Sequence, residues 1–218
     1  QHAFAIASVQ RAQAATSSGA FKAEIAPVLV RGRGGDTQVE IDEGPGKVDI
    51  TKIPTLRPAF KKDGGTITAA SSSSINDGAA ALVMMTERGA IQRGAMPLAR
   101  IVAHATHAQE PDWFATAPVG AVSKLFRKTG WSVRDVDLWE VNEAFAVVPM
   151  ALMHELCVPH ERVNVHGGAC ALGHPIGASG ARILVTLIHA LQQHGKRRGV
   201  ATLCLGGGGG VAVAIELI

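Results

Sequence analysis

Five consecutive glycines, Gly206 to Gly210, separate two short apolar segments near the end of the chain. The first segment runs from Val200 to Leu205 and the second from Val211 to Leu217, and both have the length and composition of buried strands. Because glycine adopts positive φ freely, the run predicts a turn that joins the strands as a hairpin, with backbone amides able to face a developing oxyanion. A flexible linker is the alternative, although such linkers usually contain serine and lie between polar segments.

A histidine precedes a long helical pattern. His174 is followed by Pro175, which suits the first position of a helix, and by Ser179, which could cap one. Apolar residues then repeat every three or four positions to about His194, and Gly195 ends the pattern. A helix that starts at Pro175 would place His174 beside unpaired amides at the positive end of the helix dipole. We therefore expect a neutral imidazole, which can act as a base or donate a hydrogen bond.

Further polar groups lie where strands are predicted to end. Cys204 is near the end of the first hairpin strand, and Asn142 and Glu143 follow the apolar segment from Val136 to Val141. Polar groups at the carboxyl ends of strands are well placed to line a ligand crevice in an α/β sheet. Taken alone, Asn142 and Glu143 could instead cap a helix that runs to about Leu156, and Cys204 could be an inert buried thiol.

Three motifs resemble the C-terminal signatures of the thiolase family, in that family's order and spacing. They are Asn142–Phe145 (NEAF), Gly173–Gly177 (GHPIG) and Cys204–Gly208 (CLGGG). The resemblance continues through Leu56–Phe60 and Ser73–Gly78, so it covers essentially the whole chain but only about the latter half of the family. It implies an α/β, thiolase-like fold, in which a mixed sheet is covered by helices, together with part of a loop domain that covers coenzyme A.

The resemblance divides the chain into three parts. Residues 1–75 would be the remainder of the loop domain, residues 76–96 the closing strand and helix of an otherwise absent N-terminal domain, and residues 97–218 the C-terminal thiolase domain. The apolar run from Ala79 to Met85 is the strand expected in the middle part. The chain opens in what reads as the middle of an amphipathic helix, with no initiator methionine, which suggests a fragment or one piece of a cleaved chain.

The resemblance also assigns catalytic roles. His174 resembles the residue that activates the nucleophilic cysteine and donates to the thioester oxygen of the second substrate. Cys204 resembles the acid/base that moves the α-proton, and Asn142 resembles the residue that holds a water beside His174. Gly206 matches the position whose backbone amide contributes to the other oxyanion hole. Poised acid/base groups and oxyanion donors are what proton abstraction next to a thioester requires.

Binding residues follow from the same resemblance. Ser73 matches a serine that contacts the pantetheine arm, and Ala144 and Phe145 match residues that flank the same tunnel. From composition alone, Ser71 to Ser74 would be read as a polar linker. Coenzyme A and acyl-CoA are the implied substrates, no prosthetic group is implied, and the histidines show no metal-ligand constellation.

The implied activity is acyl transfer through a cysteine thioester. It is a reversible Claisen condensation of acyl-CoA with acetyl-CoA, or thiolysis of a 3-ketoacyl-CoA as in fatty acid metabolism. Neither Cys157 nor Cys170 resembles the nucleophile of the family, and both are expected to be packing residues. The nucleophile would therefore come from an N-terminal thiolase half outside this sequence, in a homo-oligomer, either a dimer or a tetramer. A catalytically incomplete CoA-binding or interaction fragment is the alternative.

Composition argues against several other functional classes of protein. Twenty-one Lys and Arg against eighteen Asp and Glu give a net charge of only +3, which requires no nucleic-acid partner. Three cysteines without paired spacing fit a reducing compartment, and we expect a cytoplasmic protein. No apolar run approaches the ~20 residues of a membrane span. A nucleotide-dependent oxidoreductase is disfavoured because the glycine run leads into a predicted strand, and a helix over residues 211–217 would revive that class.

Overall fold

The structure is a computed structural model of residues 1–218, and it contains seven α-helices and six β-strands joined by turns and short 3₁₀ segments. The helices are α1 (His2–Ser18), α2 (Gly44–Lys47), α3 (Glu87–Arg93), α4 (Ala117–Thr129), α5 (Val147–Leu156), α6 (Ala169–Leu172) and α7 (Ser179–Gln193). The strands are β1 (Val28–Val30), β2 (Thr37–Val39), β3 (Ala99–Ala108), β4 (Leu138–Val141), β5 (Arg198–Leu205) and β6 (Gly209–Leu217).

A four-stranded mixed sheet organises the second half of the chain, in the order β3-β6-β5-β4. Strands β5 and β6 form the predicted hairpin, with Cys204 opposite Gly210, and positive φ angles at Gly207 and Gly208 make the turn between them. Strand β3 is antiparallel to β6, whereas β4 is parallel to β5. The mixed sheet and the hairpin are confirmed, and the extended β6 removes the helix that a dinucleotide site would need.

Helices cover both faces of this sheet. On one face, Trp139 and Val141 of β4 pack in the main apolar core with Leu125 of α4 and Leu152 of α5. On the other face, Leu138 belongs to a smaller core formed with α7. Successive strand residues point to opposite faces, so a strand covered on both faces, such as β4, is apolar at most positions.

The first part of the chain is attached through α1. Val9 and Ala12 of this helix pack with Ile53 and with Ala171 of α6, so α1 lies against the loop that leads to His174. The small hairpin of β1 and β2 projects from this body, and all six of its residues are exposed. None of the helices combines the length and the apolar character that crossing a membrane requires.

The strand expected from Ala79 to Met85 is absent. Residues 75–85 have no regular structure, and the side chains of Val83 and Met84 are 89% and 69% exposed. A strand needs a hydrogen-bonded neighbour, and no other strand of this chain lies beside the segment. The helix expected after it is α3.

Two helix starts also differ from expectation. Helix α7 begins at Ser179 instead of Pro175, because residues 176–178 form a turn, and it ends at Gln193 just before Gly195, as predicted. Asn142 and Glu143 do not cap α5, which begins at Val147. The second difference arises because the side chains of Asn142 and Glu143 contact distant partners, His174 and Ser8 among them, instead of nearby backbone.

The outer strand β3 has a lateral edge without a neighbouring strand. Lys124 and Lys128 of α4 reach this strand and donate to the backbone carbonyls of Thr106 and His104, at 3.1 and 2.8 Å. Charged side chains on an edge oppose pairing with another chain. The second half of β3 is therefore protected, whereas its first residues carry exposed Ile101 and Val102.

Candidate active site

The three motifs converge where the parallel strands β4 and β5 end. The amide of Asn142 donates to Thr202 O at 3.0 Å, so β4 continues its pairing with β5 up to two residues before Cys204. The segment from Ser72 to Asn76 crosses this edge, because His174 N donates to Ser74 O at 2.9 Å. Four stretches that are far apart in sequence thus form one site.

His174 holds a defined position in a chain of hydrogen bonds. Its Nδ1 lies 2.5 Å from Ser179 Oγ, and that hydroxyl donates its only proton to Pro175 O at 3.0 Å. With the hydroxyl proton on Pro175 O, the Ser179 oxygen accepts from Nδ1–H, and this tautomer of the neutral ring has no proton on Nε2. Nδ2 of Asn142 lies 3.3 Å from this nitrogen. Nε2 of His174 is thus the basic nitrogen of the ring, and the Asn142 amide is placed to donate to its lone pair.

The charge state of His174 has a different cause from the one expected. Burial lowers its pKa, and the nearby cation of Arg182 lowers it further, so the imidazole is neutral near neutral pH. Four residues separate His174 from the first residue of α7, and the dipole of that helix is not needed to explain the shift. The preceding Gly173 has φ 83°, and a Cβ there would meet Asn76 Oδ1.

Cys204 is a buried thiol beside an open glycine turn. The residue is 7% exposed, and burial raises the pKa of its thiol, which favours the protonated form. A Cβ at Gly206 would meet no atom within 4 Å, so space remains next to its backbone. Gly208 is held by Gln109, whose amide donates to Gly208 O at 3.0 Å. The turn therefore has one fixed side and one accessible side.

Ser73, Ala144 and Phe145 form a connected wall. Both the amide and the hydroxyl of Ser73 donate to Ala144 O, at 3.1 and 3.0 Å. The ring of Phe145 makes edge-to-face contacts with Phe60 and Phe114, each with centroids 6.2 Å apart. Phe60 is 74% exposed, so this row of rings leads from the core to the surface.

Glu143 is a supporting residue that sequence reasoning left unassigned. Its side chain is fully buried and accepts hydrogen bonds from Ser8 Oγ at 2.7 Å, Asn164 Nδ2 at 2.7 Å and Cys170 N at 3.0 Å. A buried carboxylate needs such donors. An acidic residue directly after an apolar strand was the available signal, but its partners come from three separate segments.

The other cysteines have different environments from each other. Burial and Glu143 raise the pKa of Cys170 far above its usual range, so its thiol stays protonated, as suits a packing residue. Cys157 is exposed at the end of α5, with φ 53°, and the expectation that it packs in the interior is wrong. The left-handed conformation of a helix terminus turns its side chain outward. No group of three or more His, Cys, Asp or Glu side chains is arranged to hold a metal.

Comparison with known families gives matches over nearly the whole chain. Residues 1–88 match the model of the thiolase N-terminal domain, and residues 95–217 match that of the thiolase C-terminal domain. The acetyl-CoA acetyltransferase of Chromobacterium violaceum is 50% identical over 99% of this chain, which covers 55% of that protein. The chain therefore spans about half the length of the curated relatives that it matches.

Solved structures agree with the sequence comparison. The crystal structure of the Bacillus anthracis acetyl-CoA acetyltransferase matches with a TM-score of 0.96 and 42% identity, over 100% of this chain and 55% of that one. The Acat5 thiolase from Ascaris suum, solved in complex with coenzyme A, matches with a TM-score of 0.88 and 40% identity over the same shares.

Proposed function

We propose that this chain, which belongs to the thiolase family, forms the acid/base half of an acyl-CoA acyltransferase site. The reaction is the reversible Claisen condensation of an acyl-CoA with acetyl-CoA, or the thiolysis of a 3-ketoacyl-CoA. One observation carries this proposal: a hydrogen-bonded chain of Asn142, His174 and Ser179 presents an unprotonated Nε2 at the strand end that also carries Cys204.

In the first half-reaction, Nε2 of His174 takes the proton from the thiol of the nucleophilic cysteine. The thiolate attacks the substrate carbonyl and forms a tetrahedral adduct. In thiolysis its collapse breaks the Cα–Cβ bond, which leaves the acyl group on sulfur, and the backbone amide of Gly206 stabilises the oxyanion. Cys204 gives its proton to the departing acetyl-CoA carbanion. Its raised pKa suits that donor role, because the thiol is intact when the carbanion forms.

In the second half-reaction, the acyl-enzyme is attacked either by the sulfur of coenzyme A, whose proton passes to the Cys204 thiolate, or by the α-carbon of the acetyl-CoA enolate. The bond between the acyl carbon and the nucleophilic sulfur breaks, and that sulfur finally regains its proton from Nε2 of His174. His174, now carrying the proton on Nε2, donates to the thioester oxygen, and a water held by Asn142 completes this site. Asn142 Oδ1 is buried and makes no hydrogen bond within the chain, so it offers an acceptor for that water. In the condensing direction, Cys204 as a thiolate removes the α-proton from acetyl-CoA.

Coenzyme A would bind along the wall of Ser73, Ala144 and Phe145. The connected contacts of this wall and its exposed outer end support that placement. Residues 1–75 would then cover the cofactor as part of a loop domain, residues 76–96 would complete an N-terminal domain, and residues 97–218 would form the C-terminal domain.

The nucleophilic cysteine would be supplied by a polypeptide equivalent to the share of the relatives that this chain does not match. An apolar cavity of about 840 Å³ supports such a partner, because residues 81–101 and one side of α7 line it. Its exposed side chains include Val83, Met84, Met96 and Leu98. A partner that buried these side chains would also place a strand beside residues 79–85, which have no neighbouring strand in this chain.

Assembly and location complete the proposal. We expect a homo-oligomer, a dimer or a homotetramer, and a cytoplasmic enzyme of acyl-CoA or fatty acid metabolism. Three free cysteines, with no disulfide among them, support a reducing compartment.

The test combines this chain with the unmatched portion of the Chromobacterium violaceum acetyl-CoA acetyltransferase, by coexpression and copurification. Coenzyme A-dependent loss of acetoacetyl-CoA should be measured for the complex, for this chain alone and for the complementing portion alone. Activity in the complex only would support the proposal. A stable complex that binds coenzyme A but neither cleaves acetoacetyl-CoA nor becomes acetylated would overturn it and favour a binding fragment.

A further inference from the structure

Alternate residues at the end of β4 face α7 and contact successively earlier positions along it. Leu138 packs in the core that includes Leu187 and Leu191 of α7. Two residues further on, Glu140 faces Arg182 in the first turn of the helix. Two residues further again, Asn142 contacts His174, which precedes the helix. The strand and the helix therefore run in opposite directions, and each pair fixes the register of the next.

Glu140 and Arg182 form the contact next to the Asn142–His174 pair in this series. Arg182 Nη1 is 3.6 Å from Glu140 Oε2, and the carboxyl group is buried, with Glu140 only 1% exposed. Neither carboxyl oxygen makes a hydrogen bond, so Arg182 is its one polar contact in the chain. Arg182 also lies 3.4 Å from Thr186 Oγ1, which donates to Glu24 Oε1 at 3.2 Å.

The spacing explains why this contact matters for the site. Residues 140 and 142 are about 6.6 Å apart along a strand, and Ser179 and Arg182 are about 4.5 Å apart along a helix. Ser179 and His174 belong to one short segment, whereas Asn142 directly follows β4. A sliding of α7 along β4 would therefore break the bond between Asn142 and His174 but leave the bond between His174 and Ser179 intact.

We propose that Glu140 and Arg182 are positioning residues, whose contact holds the first turn of α7 in register with the end of β4 and so keeps Asn142 on Nε2 of His174. Burial raises the pKa of Glu140 to about 8, and the opposing effect of Arg182 is smaller. A protonated carboxyl group still presents a carbonyl oxygen, which is an acceptor, toward the guanidinium. A glutamine at position 140 should therefore serve, whereas an apolar side chain should not.

The test uses nitrogen NMR of the 218-residue chain, with the His174 imidazole and the Asn142 side-chain amide as reporters. In Arg182→Met and Glu140→Met, the Asn142 amide should move to the position of a free amide while Nδ1 of His174 remains hydrogen-bonded. Glu140→Gln should keep the wild-type signals. Should a single variant fail to fold, the double variant with methionine at both positions leaves no buried charge and decides the question.

Arg198→Met is the control, because it removes another Arg–Glu contact, Arg198 with Glu216 at 3.0 Å, at the opposite end of β5 from Cys204. Wild-type Asn142 and His174 signals in the double variant, or equal changes in Arg198→Met, would overturn the proposal.

The catalytic role of the Glu140–Arg182 contact rests on the proposed function, and steady-state kinetics test that role separately. In the complemented enzyme, Arg182→Met should lower kcat by about 10- to 100-fold with little change in KM, as expected when a reacting group is misplaced. An unchanged kcat would contradict the positioning role. If even the wild-type complex is inactive, the proposed function fails, and the NMR comparison still decides the structural claim.

Discussion

Asn142 and His174 are 32 residues apart in sequence, yet Nδ2 of the one lies 3.3 Å from Nε2 of the other. The contact joins the end of β4 to the turn that precedes α7. It points an amide N–H at the unprotonated ring nitrogen, and Ser179 secures the opposite nitrogen. The chemistry of the site depends on this pair more than on either residue alone.

Replacing Asn142 with alanine should impair catalysis without unfolding the chain. The variant loses the group that we expect to hold the oxyanion water, and removal of one such donor typically lowers kcat by ~10²–10³-fold. Steady-state thiolysis by the complemented enzyme measures the effect, with coenzyme A affinity and thermal denaturation as controls. A normal kcat would show that Asn142 takes no part in the reaction.

Ser179→Ala should release the tautomer of His174. Without the hydroxyl, Nδ1–H loses its acceptor, so protons should distribute between the two ring nitrogens, and nitrogen NMR should report a mixture. Ser123→Ala is the matched control, because Ser123 Oγ makes a comparable helical bond to Val119 O at 2.8 Å, away from the site. An unchanged tautomer in Ser179→Ala would remove the assigned role of the serine.

Cys204→Ala should separate the two half-reactions. We expect acylation by radiolabelled acetyl-CoA to survive and condensation to be lost, because the α-proton then has no acceptor. His174→Ala should impair both steps, since it removes the base for the nucleophile. Cys157→Ala, a change of an exposed thiol, is the control. Condensation at the normal rate by Cys204→Ala would be incompatible with the acid/base assignment.

Glu24 should make stability depend on pH. Burial raises its pKa to about 7, against smaller opposing effects of Thr186 and Arg182. Between about pH 4.5 and pH 7 the folded chain holds a proton on Glu24 that the unfolded chain has released. The contribution of Glu24 to the free energy of unfolding therefore falls as pH rises through this window. Glu24→Gln lacks this titration, and its Tm relative to wild type should rise from about pH 5 to about pH 8. A constant Tm difference over that range would contradict the raised pKa.

The two lysines of α4 should suppress association through β3. Replacing both Lys124 and Lys128 with alanine exposes the carbonyls of His104 and Thr106 on an edge strand, so concentration-dependent aggregation should accelerate. Light scattering measures the rate. Lys52→Ala, which removes an exposed charge next to Asp49, is the control and should behave like wild type. Equal rates for all three proteins would mean that this edge is not protected by the lysines.

Local patterns were sufficient for elements whose partners are adjacent in sequence. The hairpin of β5 and β6 was predictable because two apolar runs flank a glycine turn and pair with each other. The run from Ala79 to Met85 has similar composition, but it forms no strand, because pairing needs two segments and no other strand of this chain lies beside it. Composition alone therefore predicted a strand for each segment, and only the hairpin prediction was right.

Side-chain partners across the fold were harder to predict. Ser179 was read as a helix cap, whereas its hydroxyl fixes the His174 ring. The neutrality of His174 was expected, but its causes are burial and Arg182, and the position of Arg182 depends on packing that no local pattern reveals. The motifs named His174, Cys204 and Asn142 as candidates, and the fold placed Asn142 against His174.

The hydrogen bonds of the buried Glu143 side chain constrain which substitutions this chain can accept during evolution. Ser8 Oγ donates to Glu143 and accepts from the amide of Gly168 at 3.0 Å, and a Cβ at Gly168 would lie 2.4 Å from the Glu143 carboxyl carbon. A substitution at any one of the three positions therefore loses a hydrogen bond or creates a collision unless another changes with it. Serine, glutamate and glycine, drawn from distant parts of the sequence, are bound into one epistatic unit that constrains which mutations can be accepted first.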